Sequence, residues 1–388
     1  MFAAANREIR KMFKKGKATT LKAILTPTVK IIPKIFKTMN PDYRYRKFFF
    51  IDHLYSFIVY NLSQDIDSMR DIVSFIEDSP WLSSTIEVAD VSRSSFSDAN
   101  SNRNYQAFEQ VFKLLYQFAA HILPGSIPLT ENVRILDGTL IRCVASMLWA
   151  KYKSKTNAIK GHLLFDLSKY IPESINITDG NGSERAILKN IIKKGITYVV
   201  DRGYNCYRLW DYIIDYGAYF VSRPFKDFCY ELVAELKLSL DEIKQGVISD
   251  QIVKLGNKKN YQTRNKIRLI TYLADDGKIY KFITNRFDLS ALEVCELYRL
   301  RWEIETFFKW LKAHLKVNKF IVRSENGVLI QIYSALITYL LLKIYAWKVY
   351  QTTELTKRII QKIKANLFAG VKRAQYLQLV EFLGTCKT

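Results

Sequence analysis

The stretch Val133-Arg-Ile-Leu-Asp137-Gly-Thr-Leu-Ile141 decides the fold. It is apolar and β-prone, yet it carries a carboxylate in its middle. Before it, residues 49–130 place apolar side chains at helical spacing, and a helix over 49–62 is followed by another that Asp67 or Ser68 caps. After it, short strands are expected at 162–166, 173–177 and 197–201, interleaved with helices over 184–194 and 207–216. Strands first and then alternation with helices point to an α/β domain with a mixed sheet.

Working outward, a second carboxylate sits in the same kind of place. Asp201 ends the run Tyr198-Val-Val, just before the turn Arg202-Gly203-Tyr204. A charge in or at the end of a buried strand is expensive unless it is paired or bound to a metal. Strand ends in α/β sheets are also where sites form. A third candidate, Glu305, lies on a long helix expected over 290–316. Tyr298, Arg301, Glu305 and Lys312 recur there on one face, at about 100° per residue. Leu297, Leu300, Ile304, Phe308 and Leu311 form the apolar stripe that would anchor the helix. Asp137, Asp201 and Glu305 together suit hard divalent cations. Two such ions, about 3.5–4 Å apart, activate a nucleophile and stabilise a leaving oxygen in phosphoryl transfer. Lys160 and His162 lie near the first carboxylate in sequence, and His162 reads as structural at a strand start, because metal-activated water needs no side-chain base.

The 388 residues hold 59 Lys+Arg against 37 Asp+Glu, a formal charge of +22. With 49% hydrophobic and 14% aromatic residues the chain has ample core, which excludes a mostly disordered protein. So positive a folded chain calls for a polyanion, with double-stranded nucleic acid first and an anionic membrane second. Residues 1–48 read as a basic arm, with Glu8 and Asp42 as their only acids. Residues 91–103, around Arg93, resemble the recognition element of a helix-turn-helix. Residues 221–284 read as a β-rich insertion. Within it Lys254, Lys258, Lys259, Arg264, Lys266 and Arg268 fall in a stretch without an acid, a basic finger for DNA backbone or a solvated edge. Val328 to Leu342 is apolar but short for a membrane span, and is expected as a buried core helix. Cys143, Cys206, Cys229, Cys295 and Cys386 are scattered, and with no apolar leader expected they fit a reducing cytosol.

On these residues the chain resembles insertion-sequence transposases of the DDE class, in the group with a Y-R-E-K signature (the IS-four family). Tyr298, Arg301, Glu305 and Lys312 meet the pattern Y-x2-R-x3-E-x6-K in full. Ala158-Ile-Lys-Gly-His-Leu-Leu-Phe-Asp166, Ile177-Thr-Asp-Gly180, Val200-Asp-Arg-Gly-Tyr204 and Ser324-Glu-Asn326 look like this family too. The resemblance spans about residues 50–350.

It implies an RNase H-like α/β core with a β-rich insertion, preceded by an all-helical N-terminal DNA-binding domain. The expected division is a basic arm (1–48), the helical domain (49–130), the core (131–220 and 285–350) split by the insertion (221–284), and a basic helical segment (351–388). The resemblance makes Asp137, Asp201 and Glu305 both the catalytic and the metal-binding triad, for two magnesium ions with manganese as substitute. It gives Tyr298, Arg301 and Lys312 to DNA; the basic finger adds Lys258, Lys259 and Arg264, and the helix-turn-helix-like segment adds Arg93. The expected activity is cleavage at transposon ends and joining to target DNA, by a homodimer in the cytoplasm, at the nucleoid. A transposase-derived protein that only binds DNA, a simple metal nuclease and a membrane-surface protein are the rival readings.

Overall fold

The computed structural model describes residues 20–63, 65–79, 91–125, 128–144, 146–153 and 156–367. The chain forms two compact units, neither continuous in sequence. The first comprises Met1–Leu123, Arg142–Asn157 and Lys309–Thr388, and the second Pro124–Ile141 and Ala158–Phe308.

Helices build the first unit: α1 (Thr20–Leu25), α2 (Thr28–Thr38), α3 (Phe50–Leu62), α4 (Met69–Glu77), α5 (Arg93–Asn102) and α6 (Gln106–Ile122). The expected basic arm is corrected over its described part. Leu21, Ile24, Leu25, Ile31, Ile32 and Ile35 are buried, while Lys30, Lys34 and Lys37 stay on the exposed face of α2. The count of lysines concealed an amphipathic helix. Residues 1–19 lie outside the described residues. The segment expected as a recognition element forms α5, capped by Ser92, whose Oγ accepts the Ser95 amide at 3.2 Å. Phe96 and Ala99 are buried, and Arg93 is exposed at its start.

The second unit carries the sheet. Its strands are β1 (Val133–Cys143), β2 (Lys151–Lys153), β3 (Thr156–Asp166), β4 (Ile171–Asp179), β5 (Thr197–Val200), β6 (Tyr219–Ser222), β7 (Tyr230–Glu235), β8 (Val247–Asn257), β9 (Tyr261–Gln262), β10 (Ile267–Leu273) and β11 (Ile279–Thr284). Of these, β2 pairs only with the first residues of β3, a hairpin that belongs to the first unit. The order is β3-β1-β5-β6-β11-β10-β8-β7, with β4 on β3 and β9 on β8. β1, β5 and β6 run parallel, while β11 is antiparallel to β6 and β4 to β3, so the sheet is mixed. The strands of 221–284 extend the same sheet from β6 through β11, so the expected insertion is continuous with the core. Between strands run α7 (Glu184–Ile191), α8 (Tyr207–Asp215) and α9 (Leu240–Lys244). Trp210 of α8, fully buried, stacks on Phe220 of β6 at 4.2 Å.

The long helix expected over 290–316 is two helices, α10 (Ala291–Arg299) and α11 (Trp302–His314). Ser290 and Glu293 form a capping box that starts α10. At the break, the Arg301 amide donates to Tyr298 O and the Glu303 amide to Leu300 O. These tighter bonds turn the chain between the two helices. The whole apolar stripe is still buried. α11 runs out of the second unit into the first, where α12 (Glu325–Tyr350) and α13 (Lys357–Ala365) follow. α12 was expected within the core; it belongs instead to the helical unit, packed by α1, α3, α5 and α6. It is long and apolar enough to cross a membrane, but 94% of its most apolar window is buried in protein. Being apolar all round, it is a core helix.

Candidate active site

The register of β1 on β5 positions the first two carboxylates. Leu136 pairs with Val200 in parallel, and both are fully buried. Asp137 and Asp201 are the next residues on adjacent strands, so they leave the core side by side. Each then caps the backbone beyond it. Asp137 Oδ1 accepts the Gly138 amide at 2.8 Å, and Asp201 Oδ1 accepts the Gly203 amide at 2.8 Å. The second bond closes the single turn Arg202–Tyr204 and ends the strand.

Arg301 joins the third carboxylate to the first. Its guanidinium donates to Asp137 Oδ2 at 3.1 Å and to Glu305 Oε1 at 2.9 Å. The tight turn between α10 and α11 aims Arg301 at β1, and the first turn of α11 carries Glu305 back beside it. Burial, opposed by Arg301 and reinforced by the charges of Asp201 and Glu305, pushes Asp137 up to about 6. Burial, with Glu184 as the strongest like charge, also raises Asp201. Burial is the leading cause at both carboxylates, and Arg301 opposes it at both. Among the described residues no three His, Cys, Asp or Glu side chains stand close enough to hold a metal ion. The Arg301 guanidinium bridges two of the three expected ligands.

Tyr298 is partly buried behind Arg301. Its ring lies 5.9 Å from the Arg301 guanidinium and 6.0 Å from that of Arg223, and it tilts on Phe282 at 5.1 Å. It wedges two arginines apart and braces the one that reaches the carboxylates. Lys312 lies two turns beyond Glu305 on α11, in the part that belongs to the first unit, where burial lowers its pKa.

The basic finger divides. Lys258 and Lys259 are exposed in the turn between β8 and β9. Arg264, 69% exposed, is paired: it meets Asp215 at 2.6 Å and Asp211 at 3.9 Å. Arg268 is buried against Asp250 at 2.5 Å. The acids absent from this stretch come from α8 and β8.

Sequence reasoning passed over Glu184. It occupies the first turn of α7, after Ser183 as cap, where a carboxylate reads simply as a partner of the helix dipole. Its side chain meets Lys160 at 2.6 Å. His162 is fully buried, with Nε2 3.0 Å from Thr178 Oγ1. Burial first and Lys160 second hold its pKa down at about 4, so it is neutral at pH 7.

A mixed sheet carries carboxylates at adjacent strand ends, and an arginine ties one of them to a glutamate on α11, an arrangement of the kind that serves phosphoryl transfer. The transposase DDE domain model matches residues 128–341. The chain belongs to that family and is a DNA transposase. It is 31% identical over 258 residues to y4zB of Sinorhizobium fredii, named as a transposase, covering 64% of this chain and 70% of that one. It is 27% identical over 254 residues to the protein named as transposase of insertion sequence element IS5377 from Geobacillus stearothermophilus, over 65% and 66% of the two chains. Against a solved piggyBac transposase synaptic complex with hairpin DNA the TM-score is 0.43, with 11% identity, over 99% of this chain and 82% of that one.

Proposed function

We propose that this transposase is of the IS-four type with an RNase H-like core, and that it binds the terminal inverted repeats of its own element. It hydrolyses the phosphodiester at each end and joins the freed 3′-hydroxyl to target double-stranded DNA. Asp137, Asp201 and Glu305 are its catalytic carboxylates. The observation that carries this reading is the placement of Asp137 and Asp201 at neighbouring positions of two parallel strands, tied through Arg301 to Glu305.

The donor set suits a divalent metal. Asp137 and Glu305 share Arg301, and Asp201 follows Val200, the register partner of Leu136 just before Asp137, so the oxygen donors lie on neighbouring elements. Asp137, Asp201 and Glu305 would hold magnesium, or manganese in its place. Bound there, two ions would activate water or a 3′-hydroxyl and stabilise the leaving oxygen. The chain's own part is to fix the carboxylates and to supply cations for phosphate. Arg301, braced by Tyr298, exchanges its carboxylate partners for a DNA phosphate when an end is bound. Lys312, Lys258, Lys259 and Arg93 contact the backbone elsewhere. The helical unit serves end recognition. Two chains act as a homodimer, because two ends must be joined, and they work in the cytoplasm, at the nucleoid.

The test is magnesium-dependent cleavage of DNA carrying the inverted repeats that flank the gene, by wild type and by Asp201→Asn. Cutting at the repeat boundary by wild type alone, with equal DNA binding by both, is the expected result. Equal cutting by Asp201→Asn would remove the triad assignment. Binding without cutting by either would mark a silent or repurposed DNA-binding protein.

A further inference from the structure

Glu184 is distant in sequence from the triad but reaches both triad strands. A methyl group on Gly203 would stand 2.4 Å from Glu184 Oε2 and 3.1 Å from Asp201 Oδ1. One on Gly138 would stand 3.2 Å from Glu184 Oε1 and 2.8 Å from Lys160 Cε. Thus the glycine after Asp137 and the glycine two beyond Asp201 leave open the same space, and Glu184 and Lys160 enter it.

Two fully buried polar groups close to the triad strands have no hydrogen-bond partner. One is His162 Nδ1, 3.7 Å from where a methyl on Gly138 would stand. The other is the hydroxyl of Tyr204, which ends the single turn that Asp201 caps. An unpaired buried polar group is costly to keep. A structural ion pair between Lys160 and Glu184 explains their 2.6 Å contact. It does not explain two bare glycines beside it, or the unpaired His162 Nδ1 next to one of them.

We propose that Glu184 is a fourth carboxylate of the site, pairing with Asp201 as Glu305 pairs with Asp137, and that Lys160 is the resident cation that a divalent ion replaces there. Each cation is held by carboxylates: Arg301 by Asp137 and Glu305, and Lys160 by Glu184. A doubly charged ion with oxygen ligands competes well against a single flexible ammonium for a carboxylate pair. This inference rests on the metal-dependent reading of the triad.

The test is a titration of the full-length protein with manganese alone, followed by the electron paramagnetic resonance signal of the free ion. Wild type is compared with Asp201→Asn, Glu184→Gln, Lys160→Met and Glu173→Gln. Glu173 is a control, a sheet carboxylate held by Arg134 and Lys193 away from the triad. Glu184→Gln and Asp201→Asn should each weaken manganese binding by about ten-fold or more. Lys160→Met should strengthen it, because the competing cation is gone, and Glu173→Gln should leave it unchanged. A merely structural pair would make the Glu184 and Lys160 variants move in the same direction, and that outcome overturns the proposal. So does wild-type affinity in Glu184→Gln when Asp201→Asn has lost it, which leaves the triad standing. Unchanged binding in Asp201→Asn as well would remove the metal reading of the triad along with Glu184.

Discussion

Replacing Arg301 by glutamine removes the one cation that bridges Asp137 and Glu305. The side chains of Arg301 and Asp137 are 14% and 15% exposed, while Glu305 is 30% exposed. Breaking a buried pair by deleting one partner costs on the order of 3–5 kcal/mol, because the other charge is left uncompensated. Glu305, nearer to solvent, contributes only about 0.2–1 kcal/mol of that. Asp137 carries the rest, so a loss of about 3 kcal/mol is expected at pH 8. The pH dependence separates charge from packing. Asp137 already has a folded pKa of about 6 against an ordinary 3.8. A raised carboxyl pKa means that the folded chain holds the proton more tightly than the unfolded chain. Its ionisation therefore lowers stability as pH rises between the two values. Without Arg301 the folded pKa climbs further. Below pH 6 Asp137 is protonated in both folded proteins, and the deficit of the variant nearly closes. Above pH 6 only the variant goes on losing stability. Thermal unfolding at pH 5 and pH 8 measures this. At about 2–4 °C per kcal/mol for a unit of this size, the variant should melt about 6–12 °C below wild type at pH 8. At pH 5 the gap should fall to about a third of that or less. Equal gaps at both pH values, or none at pH 8, would refute the charge argument.

The remaining predictions concern DNA contact and core packing. Alanine at both Lys258 and Lys259 should lower the slope of log affinity against log salt by about 2, equally for all DNA sequences. Arg264→Ala should barely change that slope, since Asp215 and Asp211 already engage the side chain; a fall of one unit would show that it releases them for phosphate. Trp210→Ala removes the stacked partner of Phe220 in a fully buried position. It should cost about 3–5 kcal/mol by denaturant unfolding while leaving the Asp137–Arg301–Glu305 contacts in place.

Much of the site was legible because strand-end carboxylates betray themselves by burial. Asp137 sits in an apolar run and Asp201 ends one, and such charges need a reason to be there. The Y-R-E-K spacing likewise marks Arg301 and Glu305 as neighbours on one helical face, and their contact is local in sequence. The break after Arg299 was not legible, because the apolar stripe runs on across it without interruption.

What the sequence determined by itself was local: which segments alternate between strand and helix, which carboxylates stand in apolar surroundings, and the excess of positive charge. Tertiary structure alone decided three things. Strand register put Asp137 beside Asp201, because a parallel pairing joins segments with no local link between them. Pairing across the fold buried Arg268 out of the basic finger and tied Arg264 to Asp215, because their acids lie on other elements. The packing of α7 carried Glu184 to the bare glycines of both triad strands, a contact between residues that are distant along the chain and that no periodicity records.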